Sequence, residues 1–301
     1  MTIFKGFASL ILAATIAATL SAEPHCPGNV ESVPLHYING YQMIVAVSVS
    51  HSGPYNFLLD SGTQFTMVDP SLASELHLKG QGSVPVDGIG FHTAASAVRL
   101  DQLAIGSHTV AHLEALVYSL QNPNSSDLHL RGVLGEDFLQ HFDMLIDNVH
   151  KMLCLDEFSA MRPEMKGPHI SLVTPMDDDD VPPNSLIISV RLSGATRPLR
   201  LDLDSGATAP FLYGASLSTS AAKLRGASLH VTGTDGTQRA VVASPPQDMK
   251  IGTLEFTKVQ FFTLADGKHG AISGFDGVLP MGFFRRVFIC HAEHFAMLEA
   301  R

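Results

Sequence analysis

Short stretches in which apolar and polar residues alternate make up most of the chain. Residues 43–49 and 185–191 are two examples, and clusters of glycine, proline and asparagine separate such stretches. Alternation with a period of two is typical of strands that bury one face. The pattern therefore predicts a mainly β fold.

Only a few segments fit short helices. The clearest is 70–77, where Asp69 can cap the helix N-terminus and Pro70 suits the first helical position. Three further segments are predicted as short helices: 136–141, 216–224 and 282–287.

An internal repeat organises the whole chain. Phe-Leu-Leu-Asp-Ser-Gly-Thr at 57–63 recurs as Leu-Asp-Leu-Asp-Ser-Gly-Ala at 201–207, which places Asp60 and Asp204 at equivalent positions 144 residues apart. Three later landmarks repeat in the same order with offsets of 145 or 146 residues: Ile-Gly at 105–106 and 251–252, Gly-Val-Leu at 132–134 and 277–279, and Met-Leu at 152–153 and 297–298. A nearly constant offset over four landmarks indicates two homologous halves.

The repeat and the chain composition define four segments. We predict a signal peptide at 1–22, an N-terminal lobe at 23–165, a linker at 166–184 and a C-terminal lobe at 185–301. The linker is rich in proline and contains four consecutive aspartates from Asp177, which lack the spacing of a calcium loop and favour a solvated charge run.

The first residues have the pattern of an export signal. Lys5 precedes an apolar run that ends near Leu20, and the small residues Ser21 and Ala22 follow. This is typical of a cleaved signal peptide, with an uncleaved anchor as the alternative. We expect an exported protein, periplasmic or secreted, without a stable membrane span after cleavage.

Composition and cysteine content narrow the class further. Hydrophobic residues make up 45% and charged residues 16% of the chain, so a large core can form, and the formal net charge of -10 disfavours nucleic acid as a partner. Cys26, Cys154 and Cys290 allow either one disulfide with one free thiol or three reduced thiols, and no pairing is indicated.

The repeated Asp-Ser-Gly segments carry the candidate chemistry. Each follows hydrophobic residues of a predicted strand and places a carboxyl group at a sharp turn that glycine permits. A pseudo-two-fold axis would bring the two turns face to face, so that Asp60 and Asp204 meet. Two carboxylates about 3 Å apart cannot both ionise cheaply, so the pair shares one proton and can serve as both acid and base.

Through these motifs the chain resembles the pepsin and retropepsin superfamily of aspartic proteases, from about residue 33 to residue 298. The resemblance implies a bilobal acid-protease fold built of two retropepsin-like β-barrel halves related by a pseudo-two-fold axis. It assigns the catalytic role to Asp60 and Asp204. It also assigns support of the catalytic loops to a set of residues that follow the aspartates: Ser61, Gly62, Thr63, Ser205, Gly206 and Ala207.

The resemblance extends to further elements of the family. Val-Leu-Gly at 133–135 is similar to the segment that threads behind each catalytic loop, although the second copy departs from it at Pro280. Glycine-rich hairpins around 86–91 and 232–237 are candidate flaps, the first with Gly88, Ile89 and Gly90 at its tip. Asp202 lies two residues before Asp204 and therefore on the same face of the strand, where we predict that it lines a subsite for basic side chains.

These observations together predict an aspartic endopeptidase. It would bind an extended polypeptide between two lobes and hydrolyse it by direct attack of water, as a monomer, without a cofactor or catalytic metal. The histidine pairs at 108/112 and 291/294 lack the order and helical context of a metalloprotease motif. Two alternatives remain: a non-catalytic peptide-binding relative, and a zymogen or self-processing form in which 23–32 or the linker is cut.

Overall fold

The computed structural model describes residues 24–38, 40–88, 91–120, 128–176, 178–213, 229–232, 238–265 and 274–301. The predicted signal peptide and the predicted helix at 216–224 lie outside these residues. Within the described part of the chain, none of the helices is long and apolar enough to cross a membrane.

The first half of the chain, with the predicted linker, forms twelve strands and two short α-helices within the described residues. In chain order these are β1 (Ser32–Pro34), β2 (His36–Ile38), β3 (Gln42–Val49), β4 (Ser52–Leu59), β5 (Met67–Val68), α1 (Pro70–Glu75), β6 (Gly80–Gly88), β7 (Phe91–Ile105), β8 (His108–Val117), β9 (Leu130–Leu134), α2 (Glu136–Leu139), β10 (Asp143–Asp147), β11 (Met152–Asp156) and β12 (Ile170–Ser171).

The second half is also built of strands. Its described elements are β13 (Ile187–Leu192), β14 (Leu199–Asp204), β15 (Phe211–Leu212), β16 (Leu229–Thr232), β17 (Gln238–Ala243), β18 (Gln247–Ile251), β19 (Leu254–Val259), β20 (Phe262–Leu264), β21 (Gly277–Pro280), β22 (Arg286–Cys290) and β23 (Phe295–Glu299). Short 3-10 turns occur at Pro27–Asn29, Arg162–Glu164 and Met281–Phe283. The predicted mainly β class is confirmed.

Each half contributes one large sheet, and the two sheets share a topology. The first has the order β2-β3-β4-β9-β5-β8-β7-β6 and the second β19-β18-β13-β14-β21-β15-β20-β17-β16. In the first, Leu58 of β4 lies opposite Val133 of the parallel strand β9. In the second, Asp202 of β14 lies opposite Val278 of the parallel strand β21. The sequence repeat is therefore also a repeat of strand pairing, in agreement with a two-barrel bilobal fold.

A third, six-stranded sheet joins the two halves. Its order is β1-β11-β10-β22-β23-β12, and β10 of the first half pairs antiparallel with β22 of the second. β12 lies inside the predicted linker and pairs with β23, with Ile170 opposite Ala296. The segment between the lobes is thus hydrogen-bonded into the sheet at this point.

The alternating pattern places many apolar side chains in one large core cluster, beside three smaller ones among the described residues. Val45, Val47 and Val49 of β3 are fully buried, as are Ile188 and Val190 of β13, and all five belong to the same cluster. Because this cluster draws on both halves and on the six-stranded sheet, the halves are packed against each other rather than connected only by the chain.

The helix predictions have two outcomes. α1 begins at Pro70 as predicted, and Leu72 N–H donates to Asp69 Oδ1 at 2.7 Å, so Asp69 is its N-cap. The prediction of a helix at 282–287 is wrong. A single 3-10 turn ends at Phe283, and β22 begins at Arg286 because this segment pairs with both β10 and β23.

One disulfide links the N-terminal segment to the six-stranded sheet. Cys26 is bonded to Cys154 of β11, with a Cα–Cα distance of 5.8 Å, and Cys290 is a buried free thiol. The pairing that the sequence left open is therefore Cys26–Cys154, which fastens the chain before β1 to the sheet that joins the halves.

Candidate active site

The two Asp-Ser-Gly turns meet through their serines. Ser61 N–H donates to Ser205 Oγ at 3.0 Å, and Ser205 N–H donates to Ser61 Oγ at 3.0 Å. Each hydroxyl in turn donates to the backbone of the opposite strand, Ser61 Oγ to Leu203 O at 2.9 Å and Ser205 Oγ to Leu59 O at 3.0 Å. Four reciprocal hydrogen bonds between buried groups thus hold one turn against the other.

This arrangement places each aspartate beside the glycine of the other turn. A Cβ atom added to Gly62 would lie 2.5 Å from Asp204 Cγ, and one added to Gly206 would lie 2.6 Å from Asp60 Oδ1. The Asp60 and Asp204 side chains also hydrogen-bond to each other. The structure therefore brings together the two carboxyl groups that the repeat placed at equivalent positions.

The carboxyl groups differ in their backbone donors. Asp204 Oδ1 accepts from Gly206 N–H at 2.7 Å and from Ala207 N–H at 3.0 Å, whereas Asp60 Oδ1 accepts from Gly62 N–H at 3.0 Å. Hydrogen bonds from backbone amides favour the ionised form of a carboxyl group. The geometry therefore favours a proton on Asp60 and negative charge on Asp204.

Burial and mutual repulsion shift the acidity of the pair. Asp60 and Asp204 each retain a partly exposed surface, while Ser61 and Ser205 are buried beneath them. Desolvation, followed by the charge of Asp204, raises the pKa of Asp60 well above its ordinary value. Desolvation also raises the pKa of Asp204, although its backbone donors oppose this shift. The pair thus holds a proton at pH values where isolated aspartates are ionised.

Asp202 lies beneath the site rather than on an open surface. Its side chain is 3% exposed, and its Oδ1 accepts from Leu186 N–H at 3.0 Å. Desolvation and the nearby Asp204 charge raise its pKa well above the ordinary value. The predicted subsite for basic side chains stays a prediction. The burial of Asp202 and its raised pKa favour the neutral acid, so they give this prediction no support.

The raised pKa values predict how stability depends on pH. Asp60 and Asp202 are raised, and the pKa of Asp137 is raised to about 6 by desolvation. Between the ordinary aspartate pKa and these values, the folded protein binds more protons than the unfolded chain, so the free energy of unfolding falls as pH rises. The groups with lowered pKa, such as Asp147 and Asp276, act at lower pH and with the opposite sign.

We expect Asp202→Asn to reduce this pH dependence and to stabilise the protein at pH 8, because asparagine resembles the neutral acid and can still accept from Leu186 N–H. Thermal unfolding of wild type and variant at pH 4.5 to 8 measures this. The Tm should rise at pH 8 by roughly 2–4 °C for each kcal/mol regained. A Tm that fell equally at all pH values would show that Asp202 does not titrate in this range.

A second set of contacts holds the segment that follows the Asp60 turn. Thr66 is fully buried, and its N–H and hydroxyl donate to Asp137 at 2.9 and 2.7 Å, while Gly135 N–H donates to Thr66 Oγ1 at 3.2 Å. Sequence reasoning named the segment around Gly135 but missed Thr66 and Asp137. The sequence signal that could have found them is the acidic pair Glu136 and Asp137 directly after Gly135. The motif alone does not predict which residue this pair contacts.

The candidate flaps are pairs of antiparallel strands. β6 and β7 form a long antiparallel hairpin whose last register pair is Gly88 with Phe91, and Ile89 and Gly90 lie outside the described residues. β16 and β17 form the equivalent pair in the second half up to Thr232 and Gln238. The residues 233–237 at its tip also lie outside the described residues.

One histidine of the 291/294 pair takes part in the structure behind the site. His291 contacts the side chain of Glu136. Among the described residues, no cluster of three or more His, Cys, Asp or Glu side chains is arranged to hold a metal ion.

Two sheets of one topology thus carry paired acidic turns that their serines hold together. In comparison with known proteins, residues 45–138 match the aspartyl protease family model. The crystal structure of a retropepsin-like aspartic protease from Rickettsia conorii aligns with 42% of this chain and 91% of its own, at 13% identity and a TM-score of 0.32. The comparison with curated proteins finds no match.

The matched segment runs from β3 through Asp60 into α2 and thus contains the complete Asp60 turn. Over this part of the chain, the protein is similar to the aspartyl protease family.

Proposed function

We propose that the protein is an aspartic endopeptidase whose catalytic pair is Asp60 and Asp204. The observation that carries the proposal is the reciprocal bracing of Ser61 and Ser205, which holds both carboxyl groups at one point of contact between the halves. A structural role for two facing carboxyl groups would be costly, because like charges that are partly desolvated destabilise the fold. Such pairs are typical of sites that use one proton in two roles.

The backbone donors suggest which carboxyl group has which role. Asp204, with two amide donors, is the carboxylate that takes a proton from the attacking water. Asp60 carries the shared proton and donates it to the carbonyl oxygen of the scissile peptide bond. In the tetrahedral diol that results, Asp204 gives the proton from water to the amine nitrogen, the C–N bond breaks, and Asp60 takes a proton back from a hydroxyl of the diol as the carboxylic acid product forms. The proton exchange makes the pair the titrating unit rather than either residue alone.

The substrate of this proposal is an extended polypeptide. The hairpin of β6 and β7 can cover such a chain and exclude water from the reacting groups. Both aspartates come from one chain, so a monomer supplies the whole site. We also propose that the protein is exported, since the pattern at 1–22 is typical of a signal peptide and the Cys26–Cys154 disulfide suits an oxidising compartment.

Cleavage of a peptide library between pH 3 and pH 8 tests the function, with new termini identified by mass spectrometry. We expect internal cleavage that pepstatin inhibits and that a chelator leaves unchanged. The activity should be bell-shaped in pH, with its alkaline limb well above the ordinary aspartate pKa, because Asp60 keeps its proton there. Peptide binding without any cleavage over this range would instead favour the non-catalytic peptide-binding relative.

A further inference from the structure

The start of α2 is hydrogen-bonded to the N-terminal catalytic loop. Asp60 N–H donates to Leu134 O at 3.0 Å, and Glu136 N–H donates to Thr63 O at 2.9 Å. These two bonds fix the backbone at both ends of the turn that carries the Asp60 carboxyl group. Any displacement of the segment 134–137 is therefore passed on to Asp60.

His291 holds this segment from the other half of the chain. It directly follows β22, and its Nδ1 contacts Phe142 O at 2.5 Å while its Nε2 contacts Glu136 Oε2 at 3.1 Å. Glu136 opens α2 and Phe142 lies just beyond its end, so one imidazole ring spans the helix. Glu136 is 1% exposed at its side chain and His291 11%, so water competes little for these bonds.

The hydrogen-bond chemistry requires one shared proton in this contact. A carbonyl oxygen can only accept, so Nδ1 of His291 carries a hydrogen toward Phe142 O. Nε2 and Glu136 Oε2 then share one proton, either as imidazolium and carboxylate or as neutral imidazole and neutral acid. Both forms give one hydrogen bond between the halves.

The charged groups around the pair keep that proton in place. Asp60 and Asp202 face Glu136 from the catalytic loop and β14, and Asp143 faces His291 from β10 with Arg162 as its ion-pair partner. Desolvation raises the pKa of Glu136. Desolvation lowers the pKa of His291, but Glu136 and Phe142 O outweigh it, so that the pKa of His291 is raised. Glu136 Oε1 has no hydrogen-bond partner among the described residues, so His291 is the partner on which the buried carboxyl group depends.

The second half receives a related contact without an ionisable pair: Asn148, directly after β10, donates its side-chain amide to Met281 O at 3.1 Å and Phe284 O at 3.0 Å. The position that corresponds to Glu136 by the repeat is Met281, which is fully buried and apolar. Each half is thus held by a polar side chain from the other, and in these two contacts only the one at Glu136 joins two titratable groups.

We propose that His291, acting through Glu136, is a positioning residue for Asp60. The proposal rests on the proposed function, since it assigns to the C-terminal half a role in aligning the N-terminal catalytic aspartate. His291 does not reach the reacting atoms. Its effect is to keep the Asp60 turn in the position in which the Asp60 carboxyl group meets that of Asp204.

Three variants separate positioning from stability. Glu136→Gln keeps the contact, because the glutamine amide can donate to neutral His291 Nε2, but removes the shared proton. His291→Leu breaks the contact and leaves a buried carboxyl group without a partner, which can prevent folding. The double variant Glu136→Leu/His291→Leu removes both partners, so that no buried charge is left unpaired and the fold is preserved while the link is absent.

The measurements are kcat, KM and amide hydrogen exchange of residues 60–66. For the double variant we expect kcat to fall by about 10–100-fold with KM within about 3-fold of wild type, because a small misplacement of a catalytic group costs rate rather than affinity. Exchange of residues 60–66 should become faster. Glu136→Gln should keep kcat within about 3-fold of wild type and should keep the exchange of residues 60–66 slow, since the hydrogen bond remains.

A matched control removes the ion-pair partner of a buried carboxyl group elsewhere. Arg197 pairs with the buried Asp276 in the second half, so Arg197→Gln should lower the Tm without a change in kcat or in exchange of residues 60–66. A folded double variant with wild-type kcat and wild-type exchange would overturn the positioning role and leave the proposed function intact. If the wild type cleaves nothing, the proposed function fails, and the exchange measurement still decides whether His291 holds the loop.

Discussion

Asp60→Asn and Asp204→Asn should each reduce peptide cleavage by about 10³-fold or more while the protein stays folded, because each substitution removes an acid or base from the reacting pair. Asparagine has the shape of aspartate and can still accept from Gly62 N–H or Gly206 N–H, so the turns should keep their geometry. The measurements are kcat/KM with a cleavable peptide and the Tm of each variant. The Tm should not fall, since one of two facing carboxyl groups is removed.

The double variant and a control sharpen this test. Residues that act as one unit are not additive, so Asp60→Asn/Asp204→Asn should be about as inactive as either single variant. Asp101 is exposed on β7, and Asp101→Asn should leave cleavage unchanged. If either single substitution at the pair left the rate near that of wild type, the shared-proton mechanism would be wrong.

Gly206→Ala should reduce kcat by about 10²-fold or more, because its one added methyl group displaces a carboxyl group of the reacting pair. An alanine Cβ at this position would lie 2.6 and 2.7 Å from the two Asp60 oxygens, closer than real Cβ contacts allow. Because the serine bonds hold both turns, the Asp60 carboxyl group has to move away from Asp204. Gly62→Ala should act in the same way on Asp204.

Gly282→Ala provides the matched control for these substitutions. An added Cβ there meets only Met43 Cε, at 3.9 Å, and its φ lies outside the left-handed region that favours glycine. We expect its kcat to stay within about 2-fold of wild type, as for substitutions that create no clash. Equal losses in Gly206→Ala and Gly282→Ala would mean that glycine matters for backbone freedom and not for the approach of the two carboxyl groups.

The sequence was most informative where a pattern occurs twice. The Asp-Ser-Gly turn at Asp60 is common as a single motif, but its recurrence at Asp204 predicted a symmetric site, and the strand pairs of both halves repeat with the same offset. Local signals also carried the start of α1, because Asp69 caps the residues directly after it. Such features depend on neighbours in the chain, or on a symmetry that the chain itself displays.

Features that appear once and depend on distant partners could not be obtained in this way. The helix predicted at 282–287 is wrong because Arg286 and its successors pair with β10, whose sequence lies about half the chain away. Asp202 could be placed on one face of a strand by alternation, but its burial and its bond to Leu186 N–H depend on how the strands of the second half pack.

By itself, the sequence determined that this chain is mainly β, consists of two repeated halves and carries an aspartate at the same turn in each, because periodicity and repetition are properties of the chain. Only the tertiary structure decided that Ser61 and Ser205 bond reciprocally, that Cys26 pairs with Cys154 and that His291 holds Glu136. Each of these contacts joins residues more than a hundred positions apart, and its geometry exists only once the sheets have packed and excluded water.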